Sequence, residues 1–478
     1  MSMTYEEEKN LLKVIMPPQI KDEFFLEISN LLHKKKDFNN FKLDLRNIAY
    51  MNSKNIAALI NLKKVTTERG INFTLLNVRD GVYQVLEIAD LLNYFIIEED
   101  YSSYSPAEMV NFFLDPEKAD FVSDYISSHY SIKFKEKIHE LFNAEEPVMK
   151  EYAILTAGKA YDISALEDIR CALNDEVQSV VRAAALVVGW LNDIESKNIL
   201  YKLLKSEYVD VVEASIASIA LMPDSSDTEK VSKLLASDDS KVRSACINAI
   251  GLINDDRGYQ LLMEHLHKEK NNYIRALIVR TLSFYRKDGL SDYFVELLDD
   301  EAVEVQEAAS SALVRIKACD KVDALLKKVS DENSWVAYFA VKAIGSLCND
   351  AKCIQILPKD FKTVDLHVKI AIVETVGKIG MIDDGQKQIA LPFINDCLEN
   401  ENEDIRKEAL NSLFMIDSEL ALRIALKLFE NDSSWIVRLK SLDIIERIKP
   451  RNYKEMLNKH LKVEGNRYII DKIEEIIH

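Results

Sequence analysis

Turn-forming residues are scarce in this chain of 478 residues, which has 12 glycines and 9 prolines. Tight β-hairpins depend on glycine, proline, asparagine and aspartate at defined turn positions, so this scarcity disfavours an all-β protein and favours helices. Hydrophobic residues make up 48% of the chain, which is enough for sizeable cores. The composition therefore predicts a mostly helical folded protein, and the length suggests about three ordinary domains.

An excess of positive charge and long apolar runs are also missing. The chain has 61 Lys and Arg against 79 Asp and Glu, a net charge of −18. Phosphate contacts need a basic surface, so we expect no nucleic-acid partner. Charges interrupt every apolar stretch well short of the ~18 residues of a membrane span. Glu6, Glu7 and Glu8 lie where a signal peptide would be basic, so we expect a cytoplasmic protein without a membrane partner.

The cysteines form no recognisable ligand pattern. They include no C-x-x-C pair, and no histidine lies close enough in sequence to complete a zinc site. We therefore expect reduced, mostly buried thiols, no metal and no cofactor. The six cysteines are Cys171, Cys246, Cys319, Cys348, Cys353 and Cys397.

A short pattern recurs from about Glu146 onward. An aliphatic residue, often followed by Arg or Lys, precedes small residues and then an aliphatic–Gly or aliphatic–small pair, as in Val242-Arg243 with Cys246, Ala249 and Gly251. Successive copies lie 30 to 32 residues apart, except for one interval of 37. The apolar spacing within each copy is helical, and a polar turn follows. Each period therefore predicts two short helices that can be stable only when neighbouring repeats stack.

This pattern resembles the HEAT repeat family, especially its short bacterial form with the signature V-R-x-x-A-x-x-A-L-G. The resemblance covers residues 146–478, about ten repeats, and implies an all-α solenoid that binds proteins. In the family the motif arginine pairs with an aspartate in the adjacent turn. Val212, Gln306 and Ala337 replace it here and interrupt the series. The matching structural arginines are Arg182, Arg243, Arg275, Arg406 and Arg438.

The first hundred residues follow a different pattern. Alternating apolar residues predict strands at 41–45 and 71–75, and a last strand is expected at 94–97. Helical spacing predicts helices at 22–33 and 52–68, with Gly70 just past the end of the second. Asp80 can cap a further helix. Strands alternating with helices predict a small α/β domain with helices packed on a sheet.

The segment from Phe41 to Ile97 resembles a STAS domain, the fold of bacterial anti-sigma factor antagonists. Asp44-Leu45, Arg69-Gly70 and the stretch Leu86 to Leu92 match parts of the family pattern. The resemblance implies a domain at 1–100 that binds a regulatory protein, either an anti-sigma-type kinase or another STAS protein. It also implies that Ser53 occupies the position of the serine that a partner kinase phosphorylates.

The turn at Ser53 leaves two interpretations open. Asn52, Lys54 and Asn55 replace the usual Asp, Ser and Gly of the family, so Ser53 can be a phosphorylation site or only a helix cap. A serine that opens a helix lies at the positive end of the helix dipole, which tolerates phosphate. In both cases we expect an exposed protein-binding surface here. It comprises Asn52, Ser53, Lys54, Asn55 and Ile56.

Residues 101–145 predict a helical connector. Ser105, Pro106 and Glu108 form a strong helix start, and the aromatic-rich sequence after them has helical spacing. We expect these helices to cover the first repeat. In the repeats, Trp335 and Trp435 follow polar pairs near helix starts, and we favour inter-repeat packing over binding for them.

No enzyme motif occurs. The sequence has no phosphate-binding glycine loop, no H-E-x-x-H and no G-x-S-x-G. The HEAT-like metal-dependent hydroxylases need several His-Glu pairs as ligands, whereas this chain has only His139-Glu140, and nothing identifies the chromophore site of a HEAT-like lyase.

We therefore expect a non-enzymatic signalling scaffold of bacterial type. Its STAS-like part would bind one regulatory protein, and its acidic solenoid would bind a second. A constitutive scaffold is the first alternative, with a degenerate STAS-like part serving for oligomerisation or as a cap. A HEAT-type lyase or metal-dependent hydroxylase is the second alternative.

Overall fold

The computed structural model describes residues 4–8, 10–35, 38–89, 91–224 and 226–477. Within these ranges, none of the helices combines the length and the apolar character that a bilayer crossing requires. The chain divides into two compact units, Met1–Ala184 and Ala185–His478.

The first unit begins with a five-stranded sheet in the order β1-β2-β3-β4-β5. β1 pairs antiparallel with β2, and the remaining neighbours are parallel. This architecture confirms the predicted α/β fold of the N-terminal region. The strands are β1 Thr4–Glu8, β2 Asn10–Ile15, β3 Phe38–Asp44, β4 Asn72–Leu76 and β5 Ile96–Glu98, and the helices are α1 Asp22–Lys34, α2 Ser53–Glu68 and α3 Asp80–Ile88.

Two strands of the sheet differ from the sequence-based expectation. β1 and β2 were not predicted, although Leu12, Val14 and Met16 are buried at alternate positions. Arg79 occupies the N-cap position of α3. The predicted capping by Asp80 stays a prediction, because the side chain of Asp80 lies outside the described part of the structure. Gly70 has φ +68°, a left-handed conformation that suits glycine, which confirms the predicted end of α2.

Aromatic packing joins the central strands. Phe41 and Phe73 are register partners in β3 and β4, and their rings stack with centroids 5.1 Å apart. Phe95 meets Phe73 edge-on at 6.1 Å. Arg69 donates from Nη2 to the carbonyl oxygen of Lys35 at 3.0 Å, which joins the end of α2 to the end of α1. The helices and the sheet therefore share one core.

The rest of the first unit is helical. Ser105 caps its helix by accepting a hydrogen bond from the Glu108 N–H, and the Glu108 carboxylate accepts one from the Ser105 N–H, which confirms the predicted helix start. Lys118 forms an ion pair with Glu99 at 3.2 Å and ties these helices to the end of the sheet region. The helices are α4 Pro106–Asn111, α5 Ala119–Ser128, α6 Ile132–Leu141, α7 Pro147–Lys159 and α8 Leu166–Ala172.

α9 Gln178–Trp190 contains the boundary between the units, and the second unit is an all-helical solenoid. From α11 on, the odd-numbered helices begin at the recurring motif, and each contacts the next odd-numbered helix. The predicted stacking of two-helix repeats is confirmed. The helices are α10 Lys197–Leu203, α11 Val209–Leu221, α12 Asp227–Val231, α13 Ser240–Ile253, α14 Asp256–Leu266, α15 Asn272–Leu282, α16 Leu290–Glu296, α17 Val303–Arg315, α18 Val322–Lys328, α19 Ser334–Leu347, α20 Ala351–Ile356, α21 Leu366–Gly380, α22 Asp384–Leu398, α23 Glu403–Ile416, α24 Ser418–Asn431, α25 Trp435–Ile448, α26 Tyr453–His460 and α27 Arg467–Ile477.

The small residues of the motif let successive odd-numbered helices approach closely. A Cβ atom added to Gly377 would lie 2.5 Å from the Ser412 Oγ of the next repeat. The same Oγ donates a hydrogen bond to the Val373 carbonyl oxygen at 3.1 Å. Gly189 meets Ser218 in the same way. A seam between a small residue and a hydroxyl residue therefore recurs along the array.

The expectation that all six cysteines are reduced is wrong for two of them. Cys348 and Cys353 form a disulfide across the turn between α19 and α20. This turn brings the Cα atoms within 6.8 Å, a separation that the sequence spacing alone could not reveal. The other four cysteines are free thiols. Cys246 and Cys397 are buried, whereas Cys171 and Cys319 are exposed, so the free thiols are also less uniformly buried than expected.

Candidate functional site

Ser53 lies in the first turn of α2, but it does not cap the helix. Asn52 is the N-cap residue, and its Oδ1 accepts hydrogen bonds from the backbone N–H groups of Lys54 and Asn55, both at 3.0 Å. Asn55 Oδ1 accepts in return from the Asn52 N–H at 3.2 Å. The alternative that Ser53 serves only as a cap is therefore wrong, because the substituted neighbours form a reciprocal capping box without it.

The exposed part of this segment is smaller than expected. Asn52, Ser53 and Lys54 are exposed, whereas Asn55 and Ile56 are buried. Within the described ranges, the Ser53 hydroxyl forms no hydrogen bond, so it has no structural role there. Tyr50 lies three residues before Ser53 in sequence, and 66% of its surface is exposed. The accessible surface at this turn therefore includes Tyr50, Asn52, Ser53 and Lys54.

A buried polar network anchors the turn to the sheet. Asp44 ends β3 with its side chain fully buried, and it accepts hydrogen bonds from Arg46 Nε at 3.0 Å and from Asn77 Nδ2 at 3.0 Å. Lys13 Nζ lies 3.8 Å from the same carboxylate and 2.5 Å from Asp100. Because a buried carboxylate needs such partners, this network holds the carboxyl ends of the parallel strands together.

α3 closes against the other side of the turn. A Cβ atom on Gly81 would lie 2.3 Å from the Ala49 carbonyl oxygen, so only glycine permits this approach. Asn47 Nδ2 donates to the Met16 carbonyl oxygen at 2.9 Å and fixes the turn to the end of β2. The turn that presents Ser53 is therefore held on two sides. These roles were not predicted from the sequence, although polar residues that follow parallel strands are a signal for them.

The motif arginines tie consecutive repeats together. Arg406 donates from Nε and Nη2 to the Asp432 carboxylate at 2.9 and 2.7 Å, and from Nη1 to the Asn400 carbonyl oxygen at 2.9 Å. Arg438 binds Glu464 and the Asp432 carbonyl oxygen in the same way. Each arginine therefore joins the turn before its own helix to the turn before the next motif helix.

The carboxylate partner lies 25 or 26 residues after each of these arginines, and it is as often glutamate as aspartate. Arg243 pairs with Glu269 at 2.9 Å, and Arg275 pairs with Asp300. Although burial alone would raise the pKa of Glu464, its hydrogen bonds from Arg438, the Asn466 N–H and His460 lower it to about 2. This acidic position was visible in the sequence as a second periodic residue, and it was overlooked.

Arg182 departs from the series. It is 38% exposed at the side chain and pairs backwards with Glu151 at 2.6 Å, so its expected pairing with an adjacent turn is wrong. Gln306 replaces arginine in α17 and retains one contact, because its Nε2 donates to the Asp300 carbonyl oxygen at 2.6 Å. Its buried Oε1 has no hydrogen-bond partner among the described residues. The interruptions therefore weaken the series without breaking the stack.

Aromatic residues are exposed where several odd-numbered helices begin. Trp335 keeps 44% of its surface exposed while its ring lies 5.0 Å from that of His367 in the next repeat. Trp435 keeps 39% exposed and stacks on Tyr468 at 5.7 Å. These tryptophans pack between repeats and also expose apolar surface to solvent, so a packing role and a binding role are compatible.

The accessible face of the later odd-numbered helices has mixed charge. Lys342 and Lys378 both pair with Glu374, at 3.0 and 2.6 Å. Burial raises the pKa of Glu408 and lowers that of Lys440 on the following helices. Basic and acidic side chains therefore lie next to one another on this part of the face.

Among the described residues, no group of three or more His, Cys, Asp or Glu side chains could hold a metal ion. His139, from the His-Glu pair, instead contacts Asp162 at 2.8 Å. Although burial alone would raise the pKa of Asp162, hydrogen bonds from Ser164, His139, Lys135 and Tyr130 hold it well below its ordinary value. This cluster is a structural support between the connector and the first repeat.

Comparison with known protein families agrees with both halves of this description. The family model of the STAS domain matches residues 19–104, and that of HEAT repeats matches residues 228–314. No curated protein matches the chain significantly.

Solved structures resemble the chain at low identity. A mutant of Kap121p is 11% identical with a TM-score of 0.50, and the match covers 90% of this chain and 52% of Kap121p. This chain therefore spans about half the length of Kap121p. An engineered protein is 19% identical with a TM-score of 0.34, covering 66% of this chain and 98% of that protein. The CpcE–CpcF complex of phycocyanin lyase from Nostoc sp. PCC7120 is 16% identical with a TM-score of 0.31, covering 51% of this chain and 94% of the other. The chain joins an N-terminal STAS domain to a C-terminal solenoid of HEAT repeats.

Proposed function

We propose that this chain is a non-enzymatic, cytoplasmic scaffold of bacterial signalling. Its STAS domain would bind one regulatory protein, and its HEAT repeats would bind a second. The observation that carries this proposal is the exposed Ser53 hydroxyl, which does not cap α2. The turn that presents it is held in place on two sides. The regulatory partner of the STAS domain would be an anti-sigma-type kinase or another STAS protein, because STAS domains form the fold of anti-sigma factor antagonists.

Phosphorylation of Ser53 would change the surface and leave the fold intact. The N–H groups of Lys54 and Asn55 already donate to Asn52, so a phosphate on Ser53 is not required to satisfy them. The helix dipole tolerates about two added negative charges at this end. A partner that covers Tyr50 and Ser53 would have to desolvate those charges, which disfavours binding.

The HEAT repeats support the second role through the accessible face of their odd-numbered helices. That face combines exposed tryptophans at its edge with ion pairs that are only partly buried. Aromatic anchors with a polar surround are typical of protein-binding surfaces.

The modification can be tested with the full-length chain and two variants. The protein is incubated with bacterial lysate and ATP and then analysed by intact mass and peptide mapping. We expect one phosphate on the peptide that contains Ser53, none in Ser53→Ala, and unchanged labelling in Ser128→Ala, which removes another exposed serine. Labelling that persists in Ser53→Ala would remove the switch from the proposal.

The consequence for binding is tested by comparing Ser53→Ala and Ser53→Glu as bait. We expect Ser53→Glu to lose one set of partners that Ser53→Ala retains, while partners of the HEAT repeats are common to both. Identical partner sets for the two variants would instead favour the constitutive scaffold. A solution measurement of mass then decides whether the STAS domain serves for oligomerisation.

A further inference from the structure

Two consecutive turns of the HEAT array line a cavity of about 930 Å³. One turn follows α15 and the other follows α17, and these helices are neighbours. Five basic residues and three acidic residues lie at this cavity. Its basic residues are Arg286, Lys287, Arg315, Lys317 and Lys321, and its acidic residues are Asp288, Asp292 and Asp320.

This charge departs from the pattern of the repeats themselves. Most of the corresponding turns elsewhere have carboxylates and no basic residue, as at Asp255-Asp256 and Asp383-Asp384. The turns after α15 and α17 keep an aspartate but add Arg286-Lys287 and Lys317. Only the turn at Lys449 to Arg451 is comparably basic among those that follow an odd-numbered helix of the second unit, and it lies outside this cavity.

Three of the cavity cations form no ion pair with any of the described residues. Lys287 pairs with Asp256, and Lys321 pairs with Asp292 at 2.6 Å and with Asp320 at 3.2 Å. Within the described ranges, no ion pair engages the exposed side chains of Arg286, Arg315 and Lys317. Asp288 is the one cavity carboxylate without an ion pair in those ranges, so the remaining local charge is positive.

An aromatic ring gives this cavity an apolar wall. Phe284 is 55% exposed, and the Arg315 guanidinium lies 4.6 Å from the centre of its ring. A guanidinium stacked on an aromatic face keeps its N–H donors in plane and free for a carboxylate. The cavity therefore offers charged donors beside a surface that can contact an aliphatic side chain.

We propose that this cavity binds a short acidic segment of a protein, with Glu or Asp carboxylates at Arg286, Arg315 and Lys317 and an apolar side chain against Phe284. This inference rests on the proposed scaffold function, because it names the chemistry of the partner held by the HEAT repeats. A long polyanion fits less well, since the turns on both sides present Asp255 and Asp350 and would repel it. The cavity volume suits a few side chains.

The inference is tested by fluorescence anisotropy with the full-length chain and a labelled short peptide in which glutamates flank a leucine. We expect salt-sensitive binding, weakened about tenfold or more in Arg315→Gln/Lys317→Gln, since charge-assisted hydrogen bonds are lost. The matched control, Lys449→Gln/Arg451→Gln, removes the same charge outside the cavity and should bind as the original chain does. Phe284→Ala should weaken the leucine peptide more than a peptide with glycine in place of leucine.

Several results would overturn the inference. One is equal binding of a peptide with lysines in place of glutamates. Another is an equal loss of affinity in the control variant. Tighter binding of a phosphoserine peptide or of single-stranded DNA would assign the cavity to phosphate instead of carboxylate. Partner capture separates this inference from the scaffold proposal. If the peptide does not bind but the HEAT repeats still capture a protein, only the cavity assignment is wrong. If the peptide binds but no protein is captured, only the scaffold proposal is contradicted.

Discussion

The sheet of the first unit and the repeats of the second unit differ in how often each stabilising contact is made. The Asp44 network occurs once and joins the ends of three strands. The pairing of a motif arginine with a later carboxylate recurs in several repeats, and Val212, Gln306 and Ala337 show that individual repeats can lose it. A single-copy network leaves no substitute, whereas a repeated contact tolerates local loss.

This difference shows where function is found in each region. In the sheet region, the candidate site is a turn that the single network positions. In the repeats, most turns follow one pattern, and the basic turns after α15 and α17 are exceptions to it. Several neighbouring basic residues that depart from the repeat pattern together indicate a binding site more strongly than any single residue of the common pattern.

The largest predicted losses of unfolding free energy come from removing one buried aromatic ring from the core of each unit. Phe73→Ala and Phe294→Ala each remove a fully buried ring and should cost about 3–5 kcal/mol. We expect Phe73→Ala to raise amide hydrogen exchange across β2 to β5 together, and Phe294→Ala to raise it only in the repeats around α16. Exchange measured by mass spectrometry checks this, and equally wide loss of protection in both variants would break the comparison.

A smaller effect is predicted at the seam between repeats. Gly377→Val should destabilise the second unit by about 2–3 kcal/mol, because its side chain must displace Ser412. Gly465→Val is the control, since no atom lies within 4 Å of a Cβ added there. Thermal unfolding of both variants measures the difference, and equal melting temperatures would contradict the close packing of α21 and α23.

The disulfide makes one turn of the array unlike the others. Cys348→Ser/Cys353→Ser should lower stability by about 2 kcal/mol, as expected for closing so short a loop. In the unreduced native chain, iodoacetamide should label Cys171 and Cys319, and denaturation should add Cys246 and Cys397. Burial raises the pKa of the Cys397 thiol to about 12, which further slows its native reaction. Six labelled cysteines without reduction would disprove the disulfide.

The smallest predicted effect concerns one contact of the repeated series. Arg438→Met should cost about 1–2 kcal/mol near neutral pH, since the carboxylate of Glu464 loses its bidentate partner. Arg182→Met should cost less than about 0.5 kcal/mol, because its ion pair is more exposed. Urea denaturation compares the two variants. An equal loss of unfolding free energy would mean that the buried arginine–carboxylate pair adds no more stability than the exposed pair.

The same pair predicts a pH dependence of the unfolding free energy. The folded-state pKa of Glu464 is about 2, below its ordinary value of 4.5. The ionised form is therefore favoured by folding, and its contribution is fully present above about pH 4.5 and lost as the pH falls towards 2. The stability difference between Arg438→Met and the original chain should narrow over that window. A difference that stays constant from pH 7 to pH 3 would contradict the assigned pairing.

Local patterns in the sequence were sufficient for the repeat period, both folds, the end of α2 at Gly70 and the helix start at Ser105. They were insufficient for β1 and β2, which lie before the first predicted helix, and for the role of Asp44, whose partners Lys13 and Asn77 are distant in the chain. Ser53 was located correctly in the turn, but its neighbours Asn52 and Asn55 perform the capping.

The order of amino acids was enough to specify helices of regular period and strands of alternating burial, because backbone geometry and burial act over a few residues. Which carboxylate meets which arginine, which two cysteines join, and which basic side chains share a cavity depended on how the elements pack. Those pairings bring together atoms from separate turns, and their stability depends on the desolvation and distance that packing imposes.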